Sequence, residues 1–590
     1  MKHLLSILFV LCIAVSMHAE NVVYQEVNYT IDTEHKTAEV ALNPHVSGEL
    51  YIPEEIQAGQ ETYRVTGICA KAFKGCKNLT DIVLPSTIDH IYRSAFDGTG
   101  IMADKTKWTE GVLYIDSCLI ASDKAIKSKF IIPEGIRVIA AGAFQGNKTL
   151  TRIEFPESVK RIDHETFRDC KNLTRVIIPP TIVEIGEDAF TNSGIWNNEK
   201  KWKKGALYID GCLIAVNGNA PAKFIFKDKV PTRLIAAKAF ANTKNIKSVA
   251  IPATVTEIPA AAFYKCENLT NVGIPVSVRR IGHFAFYGCK LLREATLPND
   301  LEELGMGAFY GCENLRTQTL SDKLDLIPQG CFYLCHSIQK LTFPAHLRKI
   351  DNGAFTGCSS LEDVIFPETL EEIGEMAFAG CSKLTELTIP AKVNSLSKGL
   401  FTACTHLRKI TLPDGLYAVG DEAFKGCVAL ESVNLPESTY RIGKYAFQNC
   451  LQLRNIALVD HIHVIEEGAF QECKMLEDIT LPASLTVLTA RALAQCVSLR
   501  NITFNKRLRF IEDRALYECR QLREVTLSDS IQTIGEEAFM NCTNLRKIVF
   551  PAGLEKIGAG AFKDCESLSV PPIPSAAIVE KNAFKGCKSK

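Results

Sequence analysis

Apolar residues in this chain recur on a ruler of 23 positions. The marker is a Phe, usually preceded by Ala, at Phe73, Phe96, Phe144, Phe167, Phe190 and Phe240. From Phe240 it returns every 23 residues through Phe263, Phe378, Phe401, Phe447 and Phe470 to Phe562, with Leu493 and Leu516 standing in twice; a last copy at Phe584 comes one residue early. That makes twenty-one units. A representative unit runs Cys381, Leu384, Leu387, Ile389 and Pro390, then Val393, Leu396, Leu400 and Phe401. Its Leu387-Thr388-Ile389 portion alternates, which predicts a short strand with Thr388 outward and its neighbours in the core. Proline stands eleven residues before the marker in fourteen units and ends that strand, because it cannot donate to a ladder. Gly four residues before the marker, as at Gly186, Gly282, Gly374, Gly443 and Gly535, predicts a turn, and the following E-E-A-F-x-G-C predicts a single helical turn. Such units bury their apolar faces only against their neighbours, so the expected body is a solenoid of stacked coils.

Cysteine changes the picture next. Of 22 cysteines, seventeen sit three residues after the marker, from Cys76 and Cys170 through the series Cys266 to Cys587. A disulfide framework is one reading and a column of small buried thiols the other; one Cys per coil lacks the paired spacing of a zinc site, which favours the column. Four units carry Thr99, Asn147, Ser193 and Thr243 instead, and these are the two units with long insertions and the two that follow them.

The insertions match each other. Gly111 to Ile120 aligns with Gly205 to Ile214, each an apolar run broken by Asp116-Ser117 or Asp210-Gly211, a two-residue hairpin signal. All three tryptophans lie here: Trp108 and Trp202 at equivalent positions, and Trp196 where the first copy has Met102. Lys200, Lys201, Lys203 and Lys204 surround Trp202. Two readings stand. The hairpins form a protruding aromatic-basic patch for a protein or anionic glycan, or Trp108 and Trp202 pin each hairpin to the coils while Trp196 is the exposed anchor. The outward strand face is the other candidate surface, with Thr388, Thr411 and Arg408 as its representatives, although a threonine stripe is first of all good strand chemistry.

Charge and catalysis narrow the field. The 67 basic and 67 acidic side chains cancel, which gives no electrostatic reason to expect nucleic acid. No phosphate loop, nucleophile elbow or H-E-x-x-H is present, and His461-Ile462-His463 has no spaced third ligand. Acid pairs such as Glu371-Glu372 recur with the repeat, as a single active site would not. The expectation is a non-enzyme without a cofactor. Lys2 followed by the apolar run Leu4 to Val15, too short to span a bilayer, predicts an export signal over 1–19 and no membrane insertion after its removal.

The pattern C-x-x-L-x-x-I-x-L-P…I-G-x-x-A-F resembles the BspA-like leucine-rich repeats of secreted or surface bacterial proteins. The resemblance implies an α/β leucine-rich-repeat solenoid of about 21 coils, with short parallel strands on the concave face and short strands or helical turns on the convex face. The expected organisation is a signal over 1–19, a capping segment over 20–67, a solenoid over 68–587 with hairpins at about 99–125 and 193–222, and a tail over 588–590. The resemblance also implies adhesion: a secreted, cell-surface or periplasmic protein that binds a protein or glycan. The alternative expectation is a structural spacer or self-assembling surface component, with an unrecognised enzyme as a remote one. Fold alone does not name a ligand.

Overall fold

The computed structural model describes residues 19–33, 35–226, 231–316 and 318–588; the export signal expected over 1–19 lies outside them, apart from Ala19, which opens a strand. The chain divides into two compact units, Met1–Cys266 and Glu267–Lys590. Each is a β-solenoid.

The first unit begins with a sheet in which Ala19–Tyr24, Val27–Asp32 and Thr37–Val40 run antiparallel in succession. Thr37–Val40 then pairs in parallel with Glu61–Ile68, which also takes Glu55–Ala58 antiparallel. Glu61–Ile68 is the starter edge: Gly67 and Ile68 pair with His90 and Ile91, the first short strand of a repeat coil. Farther along, Lys129–Ile131, Arg152–Glu154 and Arg175–Ile177 stack in parallel with residues 23 apart opposite each other.

The second unit shows the rule at its most regular. Glu386–Thr388, Lys409–Thr411, Ser432–Asn434 and Asn455–Ala457 form one parallel ladder. Ser395–Leu396, Ala418–Val419, Arg441–Ile442 and Val464–Ile465 form a second. Leu384, Leu387, Ile389, Val393, Leu396, Leu400 and Phe401 are all buried, so the apolar template is the core. Marker rings lie nearly flat on one another: Phe309 on Phe332 at 5.5 Å and 1°, and Phe332 on Phe355 at 5.4 Å and 4°.

The cysteines form a hydrogen-bonded column. From Cys312 to Cys587 each marker-adjacent thiol donates to the carbonyl of the Phe or Leu marker in the preceding coil, at 3.1–3.3 Å. None of the described cysteines is in a disulfide, and burial pushes Cys404, for example, up to about 12. The slot changes where an insertion changes its neighbour. After the insertions, Asn147 Nδ2 reaches the Asp123 carbonyl at 3.0 Å and Thr243 Oγ1 the Val216 carbonyl at 3.4 Å.

The expected helical turn is replaced by something tighter. Residues two before and two after the marker sit in the left-handed region: Met376 and Gly380 around Phe378, Glu422 and Gly426 around Phe424, Tyr445 and Asn449 around Phe447. A right-handed helix cannot run through two such residues. Among the described residues, helix is confined to Gly100–Ala103 and the 3-10 segments Lys105–Lys107 and Glu199–Lys201. Gly four before the marker also has a different role from the one expected. At Gly374 a Cβ would lie 2.5 Å from the backbone nitrogen of Asn352 in the coil before. The close approach lets Glu375 N donate to Asn352 Oδ1 at 2.6 Å, and Gly443 and Gly535 approach Asp421 and Asp513 in the same way.

Two outcomes check this packing. Leu387→Asp should cost on the order of 3 kcal/mol or more, because an unpaired charge enters the core, while Thr388→Asp should cost little; equal melting temperatures for the two variants would refute the register. A thiol reagent under native conditions should reach only the half-buried Cys69 and Cys587 among the described cysteines, slowly at Cys587 because burial pushes its thiol up to about 12, and the column only after denaturation.

Candidate binding surface

The two insertions fold alike. Trp108–Thr109, Val112–Ile115 and Cys118–Ser122 form an antiparallel meander, as do Trp202–Lys203, Ala206–Ile209 and Cys212–Val216. Their last strands join the solenoid in parallel: Cys118 and Leu119 pair with Val138 and Ile139, and Cys212 and Leu213 with Leu234 and Ile235. Val112, Leu113, Leu119, Leu207 and Leu213 are buried. Each hairpin tip is bolted to the preceding coil. Asp116 Oδ2 accepts from Leu84 N at 2.8 Å and Asp210 Oδ2 from Ile178 N at 2.9 Å. Arg137 Nη1 donates to the Ser86 carbonyl at 2.8 Å, and Arg233 Nη1 to the Ile182 carbonyl at 2.7 Å. These bonds satisfy backbone groups that the insertion takes out of the ladder. The hairpins are therefore built into the sheet and do not protrude.

The tryptophans follow from that docking. Trp108 Nε1 donates to the Met102 carbonyl at 3.2 Å and Trp202 Nε1 to the Trp196 carbonyl at 2.7 Å, so both indoles hold hairpin to coil. Trp196 corrects the expectation of an exposed anchor. It is half-buried, packs on the core around Ile195 and Ile214, and meets Trp202 edge to face at 5.3 Å. Its side chain is held by those apolar neighbours, none of which adjoins it closely in sequence except Ile195.

What distinguishes the copies is charge. In the first hairpin three lysines are paired, Lys105 with Asp123 and Lys107 with Asp81, both at 3.1 Å, and Lys127 with Glu110 at 2.6 Å, while Lys124 is exposed. At the positions of Asp81, Glu110 and Asp123 the second copy carries Arg175, Lys204 and Asn217. Lys200, Lys201, Lys203 and Lys204 are all exposed, and among the described residues none is within ion-pair distance of a carboxylate. Lys129, Arg152 and Arg175 sit opposite one another in successive strands, so basic residues also line the strand face of this unit. Thr388 and Thr411, in the second unit, pair directly and are exposed with Arg408. Nothing else converges on them.

The chemistry the chain gathers elsewhere is structural in form. His463 stacks on Tyr440 at 4.8 Å, and among the described residues no group of three or more His, Cys, Asp or Glu is arranged to hold a metal. No described helix is long and apolar enough to cross a membrane. One cluster escaped the sequence reading. His90 Nε2 lies 2.7 Å from Glu39 Oε1, its Nδ1 is bonded to Asp89, and Cys69 donates to Glu39 Oε2 at 3.1 Å. Gly67 makes the room, since a Cβ there would fall 2.1 Å from His90 Nε2. Both imidazole nitrogens are occupied by carboxylates, so neither is placed to activate the thiol. Burial alone would lower the His90 pKa, but Asp89 and Glu39 override it and raise it from 6.5 to about 9.

Comparison with known proteins places these features. The family pattern described as "BspA type Leucine rich repeat region" matches residues 60–128, 233–362, 325–454, 403–522 and 463–590. The stretch 129–232, which contains the second hairpin, lies between matched segments. No curated protein matches. Among solved structures, a leucine rich cell surface protein from Faecalibacterium prausnitzii A2-165 is similar at 18% identity, covering 90% of this chain and 94% of that one, with a TM-score of 0.34. A leucine-rich repeat protein from Bacteroides ovatus ATCC 8483 is similar at 21% identity, covering 95% and 99%, with a TM-score of 0.24. One from Eubacterium ventriosum ATCC 27560 is similar at 18% identity, covering 66% and 95%, with a TM-score of 0.33.

Two measurements test the docked geometry. Trp196→Ala should lower stability by about 2–4 kcal/mol, as expected for truncating a large packed ring; a loss below about 0.5 kcal/mol would return Trp196 to the free surface. The His90 cluster sets a pH dependence. A pKa raised above its unfolded value stabilises fully below about 6.5, and that contribution, on the order of 2 kcal/mol, is lost as pH rises through about 9. The melting temperature should fall over that window, and His90→Gln should flatten the fall.

Proposed function

We propose that this chain, which belongs to the BspA type leucine-rich-repeat family, is an exported, non-catalytic binding protein that takes an anionic macromolecule against the lysine-bearing second hairpin. The observation that carries the reading is the difference between the two copies. They share register, tip bonds and indole bonds, so the fold needs neither charge pattern in particular. The first copy pairs Lys105, Lys107 and Lys127 and leaves Lys124 exposed, whereas the second carries four unpaired lysines on the same frame, with Glu199 where the first has Lys105. Unpaired like charges on one rigid hairpin repel one another and persist at a small cost in stability. An anionic partner removes that repulsion and gains from a preformed, largely inflexible site.

Within this reading Lys201 and Lys203, with Lys200 and Lys204, make the ionic contact. Trp202 and Trp108 hold the two hairpins in place, and Trp196 backs the second one from below. Lys129 and Arg175 extend the basic face along the strand ladder, with Arg152 between them paired to Glu154. The export reading rests on the N-terminal sequence, Lys2 and the run Leu4 to Val15. Thr388, Thr411 and Arg408 belong to a second exposed surface that lacks a comparable asymmetry.

Retention on a sulfated glycan resin checks the proposal. The mature chain should bind at low salt and elute as ionic strength rises, because exposed charges are screened over about 10 Å at 0.1 M. Reversing Lys200, Lys201, Lys203 and Lys204 to Glu should weaken binding roughly tenfold or more. Reversing Lys105, Lys107 and Lys127 in the first hairpin should have a much smaller effect. Equal losses from both sets, or no retention of the unaltered chain, would contradict it.

A further inference from the structure

The two hairpins also differ inside. Each encloses a cavity against the turn of its own coil, walled by the marker Phe96 or Phe190, by Ile120-Ala121 or Ile214-Ala215, and by Ala140 or Ala236. The first cavity holds about 150 Å³ and the second about 40 Å³. Five lining positions differ, of which Ser94 to Asp188 and Asp97 to Thr191 are small changes, and three are large. Met102 in the first copy is Trp196 in the second, Gly142 is Lys238, and Tyr92 is Gly186. Losing the Tyr92 ring should enlarge the second cavity. It is nonetheless the smaller, so Trp196 and Lys238 are what close it. Lys238 is tied across by an ion pair to Glu187. Gly142 leaves that place open in the first copy, where an added Cβ would meet nothing nearer than 3.6 Å.

We propose that the cavity between the first hairpin and its coil is a binding site for a planar aromatic ring of indole size. The second hairpin supplies the evidence: the same frame closes over the indole of Trp196, which packs among the residues equivalent to those lining the first cavity. A space of about 150 Å³, walled by Ile91, Phe96, Met102 and Ile120 on its apolar part and by Tyr92, Ser94, Asp97 and Gln145 on its polar part, is big enough for a single aromatic ring. Met102 forms a soft, polarizable wall, and sulfur makes favourable contacts at the edges of aromatic rings. Gln145 and Arg93, the latter paired with Glu165, are among the lining residues and offer hydrogen-bond donors to a substituent on the ring. The site stands apart from the lysine face of the second hairpin and does not depend on the function assigned to it.

Calorimetry with indole as the probe tests this. The unaltered chain should bind one indole with submillimolar affinity and gain melting temperature. Met102→Trp should fill the cavity from within, raising the melting temperature of the free protein and weakening indole binding at least tenfold. Trp196→Met combined with Lys238→Gly should open the second site, so that the stoichiometry rises from one to two. Because that double variant also loses packing, Met102→Trp keeps the test decisive if the double variant does not fold. A Gly-Trp-Gly tripeptide identifies the source of the ring. Binding of indole alone supports a free small molecule, and binding of both supports a partner's tryptophan side chain. No indole binding by the unaltered chain, or unchanged binding by Met102→Trp, would overturn the proposal.

Discussion

The contact on which everything else rests is that of a residue with the residue 23 positions later. Phe309, Phe332 and Phe355 lie flat on one another, and the thiol beside each marker donates to the marker carbonyl one coil back. A coil alone could bury none of its apolar side chains. Between two neighbours it buries the template positions, so repeat length is under constraint throughout the coil. Single insertions within a coil would break the aromatic stack, the thiol column and both ladders together. That is why the insertions that do occur are whole hairpins. Each brings its own buried leucines and its own tip carboxylate to replace the bonds it displaces.

The duplicated hairpins then serve as an experiment within one molecule. Their backbones agree strand for strand, so side chains that differ between them are free of the fold's demands. Two differences stand out, and they are independent. On the outside, ion pairs of the first copy become unpaired lysines in the second. On the inside, a cavity beside Met102 becomes a filled space beside Trp196. One hairpin offers charge and a closed interior, the other a neutral surface and an open one. The division suits a scaffold whose packing is fixed and whose recognition lies in substituted positions.

Much of this was legible in the chain itself. The marker spacing revealed the coil, the strand with Thr388 outward, the buried thiol column and both hairpins with their Asp116 and Asp210 tips. The turn was not legible, because its left-handed positions are filled by Met376, Glu422 and Tyr445 as readily as by Gly. Ladder bonds on both sides hold those residues where propensity alone would not. The role of Gly374 was hidden for a related reason: what excludes a Cβ there belongs to the coil before, not to its own turn. Trp196 was misread as exposed because Ile214, which helps bury it, arrives from the far side of a hairpin. The His90 cluster was missed because Glu39 lies 51 residues away and meets it only across the starter edge.

The most direct test of this division of labour is amide hydrogen exchange on the mature chain with and without a bound sulfated glycan. Protection should concentrate at residues 199–204 and along Lys129, Arg152 and Arg175, while 105–110 and the strands carrying Thr388 and Thr411 stay unchanged. Protection spread equally over both hairpins, or centred on Thr388 and Thr411, would contradict the account.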